Sequence, residues 1–208
     1  MPGKHYMVTA QPTDGIAGVT GVRTTTSVVK QSGSFYGGVF VGLTIPPSYW
    51  GQVGLTWVKE SMPRFFCLMF KDTIPIQPFS YFAQARPIAN SQHRMSLLYV
   101  GADLWRCEVG EHVLATYRLA GVDISSIKAS RAILYGEAID RVHRMKPMWF
   151  SPAIEYCKDG IWLPAEHANA GRLSGTGWEI AGRLQDNGLD SNEAVIGSSA
   201  GVQEGGLW

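Results

Sequence analysis

Gly51-Gln52-Val53-Gly54-Leu55-Thr56-Trp57 alternates strictly, with Val53, Leu55 and Trp57 on one side of an extended chain and Gln52, Gly54 and Thr56 on the other. A period of two marks a strand with one face against a core. Val39 to Thr44, Phe79 to Arg86 and Ile133 to Ile139 behave alike, and one face of the four strands collects Phe40, Gln52, Gln84 and Glu137. The expectation is a polar, concave sheet surface that carries a glutamine and a glutamate as a candidate catalytic pair.

Outward from that stretch, further short apolar runs read as strands: 24–31, 35–44, 64–70, 95–100, 104–109, 112–118, 131–140 and 147–154. Turn chemistry separates them, at Gly33, Pro46-Pro47, Asp72, Asn90, Gly101 and Gly110. Leu104 to Val113 reads as a hairpin with Trp105, Cys107 and Val109 facing in and Arg106 and Glu108 facing out. Asp159-Gly160 reads as a second hairpin turn, with Trp162 packing on the sheet beyond it. Residues 121–131 can hold one short helical turn, capped by Asp123 or Ser125. A chain of 208 residues, 45% hydrophobic, with 24 glycines and 11 prolines and no long amphipathic helix, points to one all-β domain, a sandwich or jelly roll. Residues 1–23 read as an N-terminal arm or first edge strand. Residues 179–208 read as a Gly/Ser/Asn-rich tail through which copies can associate if Trp208 docks on a neighbour.

Composition excludes several function classes. A net charge of +1 with only 17% charged residues offers no basic face for a nucleic acid. No apolar run approaches the roughly 18–20 residues that span a bilayer, and Met1 to His5 lacks the apolar core of a secretory signal. Cys67, Cys107 and Cys157 have no metal-type spacing, and an odd count reads as buried thiols, with one disulfide plus one thiol as the alternative. His5, His93, His112, His143 and His167 show no HxH or HExxH spacing, so neither a metal nor another cofactor is expected.

Four motifs then carry a resemblance. Phe40-Val41-Gly42-Leu43, Gly51-Gln52-Val53-Gly54-Leu55, Phe82-Ala83-Gln84-Ala85-Arg86-Pro87 and Tyr135-Gly136-Glu137-Ala138 occur in an order and spacing similar to the glutamic peptidases called eqolisins and their more distant neprosin-like relatives. The resemblance spans roughly residues 35–165. It implies a concanavalin-like β-sandwich of two antiparallel sheets, with Gln52 at the catalytic glutamine position and Glu137 at the catalytic glutamate position. It also implies a groove for an extended polypeptide, lined by Phe40, Thr44, Trp50, Thr56, Phe82 and Gln84, and an exported protein. Where the family carries Trp, this chain has Phe40 and Phe82; where it carries Asp or Glu, this chain has Thr44, Thr56 and Gln84. Without the carboxyl cluster that favours acid pH, such an enzyme works nearer neutrality or has lost peptide cleavage.

The chemistry of the pair follows without the family. A carboxylate at Glu137 can take a proton from water and return it to a leaving amine, which is worth roughly 10²–10⁴ in rate. The Gln52 amide N–H can stabilise an oxyanion by about 3 kcal/mol when preorganised. Glu137 can equally form a structural ion pair with Arg86 or Arg141. The non-enzymatic alternatives are a carbohydrate-binding module, with Trp50 and Trp149 as stacking platforms, and a structural assembly subunit.

Overall fold

Alternation becomes register in a computed structural model that describes residues 5–12, 15–77, 86–138, 145–146, 148–165, 167–169, 178–180 and 194–196. One sheet contains β1 (His5–Pro12), β3 (Tyr36–Ile45), β4 (Tyr49–Val58), β5 (Arg64–Lys71), β6 (Ile74–Pro75), β10 (Ala132–Ala138), β14 (His167–Asn169) and β15 (Trp178–Ile180). Its order is β14-β1-β10-β3-β4-β5-β6, with β15 added in parallel to β1. The other contains β2 (Gly21–Ser27), β7 (Gln92–Tyr99), β8 (Leu104–Val109), β9 (His112–Arg118), β11 (Met148–Phe150), β12 (Glu155–Lys158), β13 (Ile161–Pro164) and β16 (Ala194–Ile196). Its order is β13-β12-β2-β7-β8-β9, with β11 paired to β2 and β16. Every other pairing is antiparallel. The molecule is a β-sandwich of jelly-roll type.

The core lies between the sheets. Val53, Leu55 and Trp57 of β4 and Val39, Val41 and Leu43 of β3 are fully buried there, facing Met95, Leu97 and Trp105 of the second sheet. All three cysteines are free and buried. Cys67 of β5 reaches across the interior, its Sγ 3.5 Å from the Tyr117 hydroxyl of β9. Hydrogen bonding from the Cys107 thiol lowers the Cys67 pKa, and burial holds Cys107 well above the ordinary thiol range. The outer face of the second sheet is polar and ion-paired. Arg23 engages Glu155 through two hydrogen bonds, of 2.5 and 2.9 Å, and stacks 4.3 Å from the Trp162 ring centroid.

Both expected hairpins form. Gly110 takes φ +58 between β8 and β9, with Trp105, Cys107 and Val109 buried and Arg106 paired outward to Glu108 at 2.9 Å. Asp159 and Gly160 take φ +50 and +79, the left-handed pair that joins twisted antiparallel strands. The expected helical turn is a 3₁₀ turn, Ile124–Ser126, capped by Asp123, whose carboxylate accepts from the Ser125 N–H at 3.0 Å, and the segment holds a second, unexpected 3₁₀ turn at Ala129–Arg131.

Three expectations change. Residues 5–12 form β1, hydrogen-bonded to β10 on one side and β14 on the other, so they occupy an interior position of the sheet. The strand read over 24–31 is β2, starting at Gly21 and ending at Ser27. The strand read over 147–154 is interrupted: β11 ends at Phe150, residues 151–154 bend through Ser151-Pro152, and a separate β12 follows. Proline has no N–H to give a ladder, and here its carbonyl accepts from Thr25 N–H at 3.1 Å. The strand read over 79–86 falls, except for Arg86, outside the described residues.

Candidate functional site

Paired strands point opposite residues to the same side, so register assigns the outer face of the first sheet. Gln52, Gly42 and Ile133 share one cross-strand row; Gly54, Phe40 and Tyr135 share the next; Thr56, Gly38 and Glu137 share the third. On β5 these rows continue through Leu68, Phe66 and Arg64. Phe40, Gln52 and Glu137 therefore lie on one face. Gln52 and Glu137 are two strands apart, roughly 9–10 Å, and four residues apart along the strands, roughly 13 Å. Phe82 and Gln84 lie outside the described residues.

The polar surface expected there is instead an aromatic layer with polar groups set into it. Phe40, Phe66, Leu68 and Tyr135 form a second buried cluster, flanked by Trp50, Phe70 and Ile133. Glycine makes this layer possible. A Cβ on Gly42 would stand 2.4 Å from the Trp50 ring, and one on Gly38 would stand 2.3 Å from the Phe40 ring. Both rings thus lie directly on backbone. Phe40 packs on Phe66 at 5.1 Å edge-to-face and on Tyr135 at 5.2 Å, and is only 3% exposed, so the wall it was expected to offer is covered. Trp50 is half-buried in the same layer and does not stand free as a stacking platform.

Gln52 is 8% exposed, and its amide oxygen has two donors. Trp50 Nε1–H donates to Gln52 Oε1 at 3.2 Å, and the Tyr135 hydroxyl donates to the same oxygen. Tyr135 stands on the middle row, between Gln52 and Glu137. Sequence reasoning missed it because the hydrogen bond joins residues 83 positions apart and leaves no local signal. Burial, and to a smaller extent the negative charge of Glu137, hold the Tyr135 phenol well above its ordinary pKa. It remains a neutral donor across the working pH range.

Glu137 lies largely out of solvent, and this desolvation raises its carboxyl from 4.5 to about 7. A carboxyl poised there gains and loses its proton near neutrality, as general acid–base work requires. The remaining residues divide. Thr56 is buried, and its hydroxyl donates to Gly37 O at 3.1 Å, within the sheet's own backbone. Thr44 is exposed at the far end of the face, opposite Trp50. Arg86, one candidate ion partner of Glu137, is exposed in a cleft with Phe65, His93, Arg94 and His112. That cleft adjoins β5, three strands across from β10 and so roughly 14 Å away by strand spacing alone. Arg141, the other candidate, is outside the described residues. No group of three or more His, Cys, Asp or Glu able to hold a metal occurs among the described residues.

No protein-family model and no curated protein sequence matches this chain. Solved structures do. The fold is similar to that of scytalido-glutamic peptidase bound to a transition state analog inhibitor, with TM-score 0.59 and 9% identity over 94% of this chain and 98% of that one. A second crystal structure of that peptidase, with a peptide-based transition state analog, gives 0.53 at the same identity and coverage. SCP-B, a member of the Eqolisin family of peptidases in complex with the tripeptide Ala-Ile-His, gives 0.57 at 8% identity, with the same coverage. At such identities the likeness is one of fold.

Proposed function

We propose that this chain is a glutamic-type endopeptidase in which Glu137 activates water and Gln52 binds the developing oxyanion of a peptide held across the outer face of the first sheet. The observation that carries this reading is a largely desolvated Glu137 carboxyl, held at about 7, sharing that face with a hydrogen-bonded Gln52 amide. Support comes from a sandwich shared with peptidases over nearly the whole chain.

By register the two Cα atoms lie roughly 16 Å apart, and both side chains rise from the same face of the sheet. Ionised Glu137 takes a proton as the water attacks the carbonyl carbon; the oxyanion is held by the Gln52 N–H; the proton then passes to the leaving nitrogen as the C–N bond breaks. Cleavage of a denatured protein substrate between pH 3 and 8 tests the proposal. Glu137→Gln and Gln52→Ala must each remove the activity while remaining folded; full activity in either folded variant refutes it.

A carbohydrate-binding reading draws on one observation, a Trp149 that is 49% exposed on β11, where an indole face can stack on a sugar. Loss of glycan-array signal on Trp149→Ala, with no peptide cleavage by the parent chain, selects this reading instead.

A further inference from the structure

A glutamine side chain ends in an acceptor and a donor of nearly equal size, and which one meets the substrate decides whether it can stabilise an oxyanion. Two donors settle that question for Gln52. An indole N–H cannot accept, so the 3.2 Å contact from Trp50 Nε1 identifies the facing atom as the amide oxygen. The Tyr135 hydroxyl, kept protonated by burial, donates to the same atom from the opposite side of β3. Both donors are themselves held. The Trp50 ring rests on Gly42, Tyr135 packs 5.2 Å from Phe40, and the two rings stand 6.5 Å apart.

We propose that Trp50 and Tyr135 are positioning residues that lock the Gln52 amide with its oxygen inward and its NH₂ as the end offered to a bound peptide. Two donors on one amide oxygen also withdraw electron density from the nitrogen and strengthen its N–H as a donor. The lock stands on geometry alone; its catalytic consequence rests on the peptidase reading.

The experiment separates the two. Tyr135→Phe removes one hydroxyl and Trp50→Phe removes the indole donor. In ¹⁵N–¹H spectra the Gln52 side-chain NH₂ pair is assigned by its absence in Gln52→Ala. Both phenylalanine variants are expected to move that pair by several tenths of a ppm in ¹⁵N while most backbone amides stay in place; an unmoved pair in both overturns the proposal, whether or not the chain cleaves peptides. In the kinetic arm, Tyr135→Phe is expected to lower kcat about tenfold with KM within about twofold, the loss of one hydrogen bond to a catalytic amide. Adding Tyr135→Phe to Gln52→Ala is expected to change nothing further in any residual activity, because Tyr135 acts through Gln52. A full additional tenfold loss in the double variant contradicts the positioning role.

Discussion

Replacing Glu137 by glutamine should remove a pH-dependent contribution to stability. Burial raises the carboxyl from 4.5 to about 7, so the folded chain holds this proton more tightly than the unfolded chain does. The resulting stabilisation is complete below about pH 4.5 and is lost as pH rises through about 7. Its size is about 3 kcal/mol, at 1.36 kcal/mol for each pH unit of difference. In a chain of 208 residues that corresponds to roughly 6–12 °C in Tm. A glutamine at 137 has no proton to lose, and all other titrating groups are common to both proteins. The stability of Glu137→Gln relative to the parent should therefore rise by about 3 kcal/mol from pH 4 to pH 8. Urea unfolding followed by tryptophan fluorescence at constant ionic strength measures this difference. A gap that stays constant to within about 1 kcal/mol across the range refutes the buried carboxyl.

Other predictions follow from single contacts. Gly42→Ala places a Cβ against the Trp50 ring, so it should cost roughly 1–3 kcal/mol and weaken the Trp50–Gln52 hydrogen bond, seen as a lower urea midpoint with a shifted Trp50 indole N–H resonance. Arg23→Ala removes a two-point carboxylate contact and a stacked Trp162, and should lower stability by roughly 1–3 kcal/mol, whereas Arg64→Ala at the exposed Glu60 pair should change it by less than about 1 kcal/mol. With Cys67, Cys107 and Cys157 all buried and free, a thiol reagent should label none in the folded protein and three in denaturant; rapid labelling under native conditions contradicts the packing.

The sequence discloses the sandwich wherever one face of a strand meets the core and the other does not. In β4 and β8 the side-chain period is intact, and the boundaries read for β4, β8 and β9 match the observed strands to within two residues, although a register shift against β8 breaks the period within β9. Strand β1 was harder to see, because its tight pairing to β10 and β14 is a long-range event and Met7-Val8-Thr9-Ala10 carries no clear alternation. The interruption at Ser151-Pro152 was legible in principle, since a proline argues against an unbroken strand. On the candidate face, alternation tells which side a residue takes but not what leans over it. The expected polar surface is occupied at Gly38, Gly42 and Gly54 by the rings of Phe40 and Trp50, which lean over the glycine backbone. The Tyr135 contact crosses from β10 over β3 to β4, a distance in sequence that no local pattern encodes.

Whether Glu137 is the proton acceptor for peptide hydrolysis is read from the pH profile of kcat/KM on a denatured protein substrate. The account predicts activity that climbs with pH to an inflection near 7, the point at which the buried carboxyl ionises. Cleavage that is already maximal at pH 4, or that persists unchanged in folded Glu137→Gln, contradicts it.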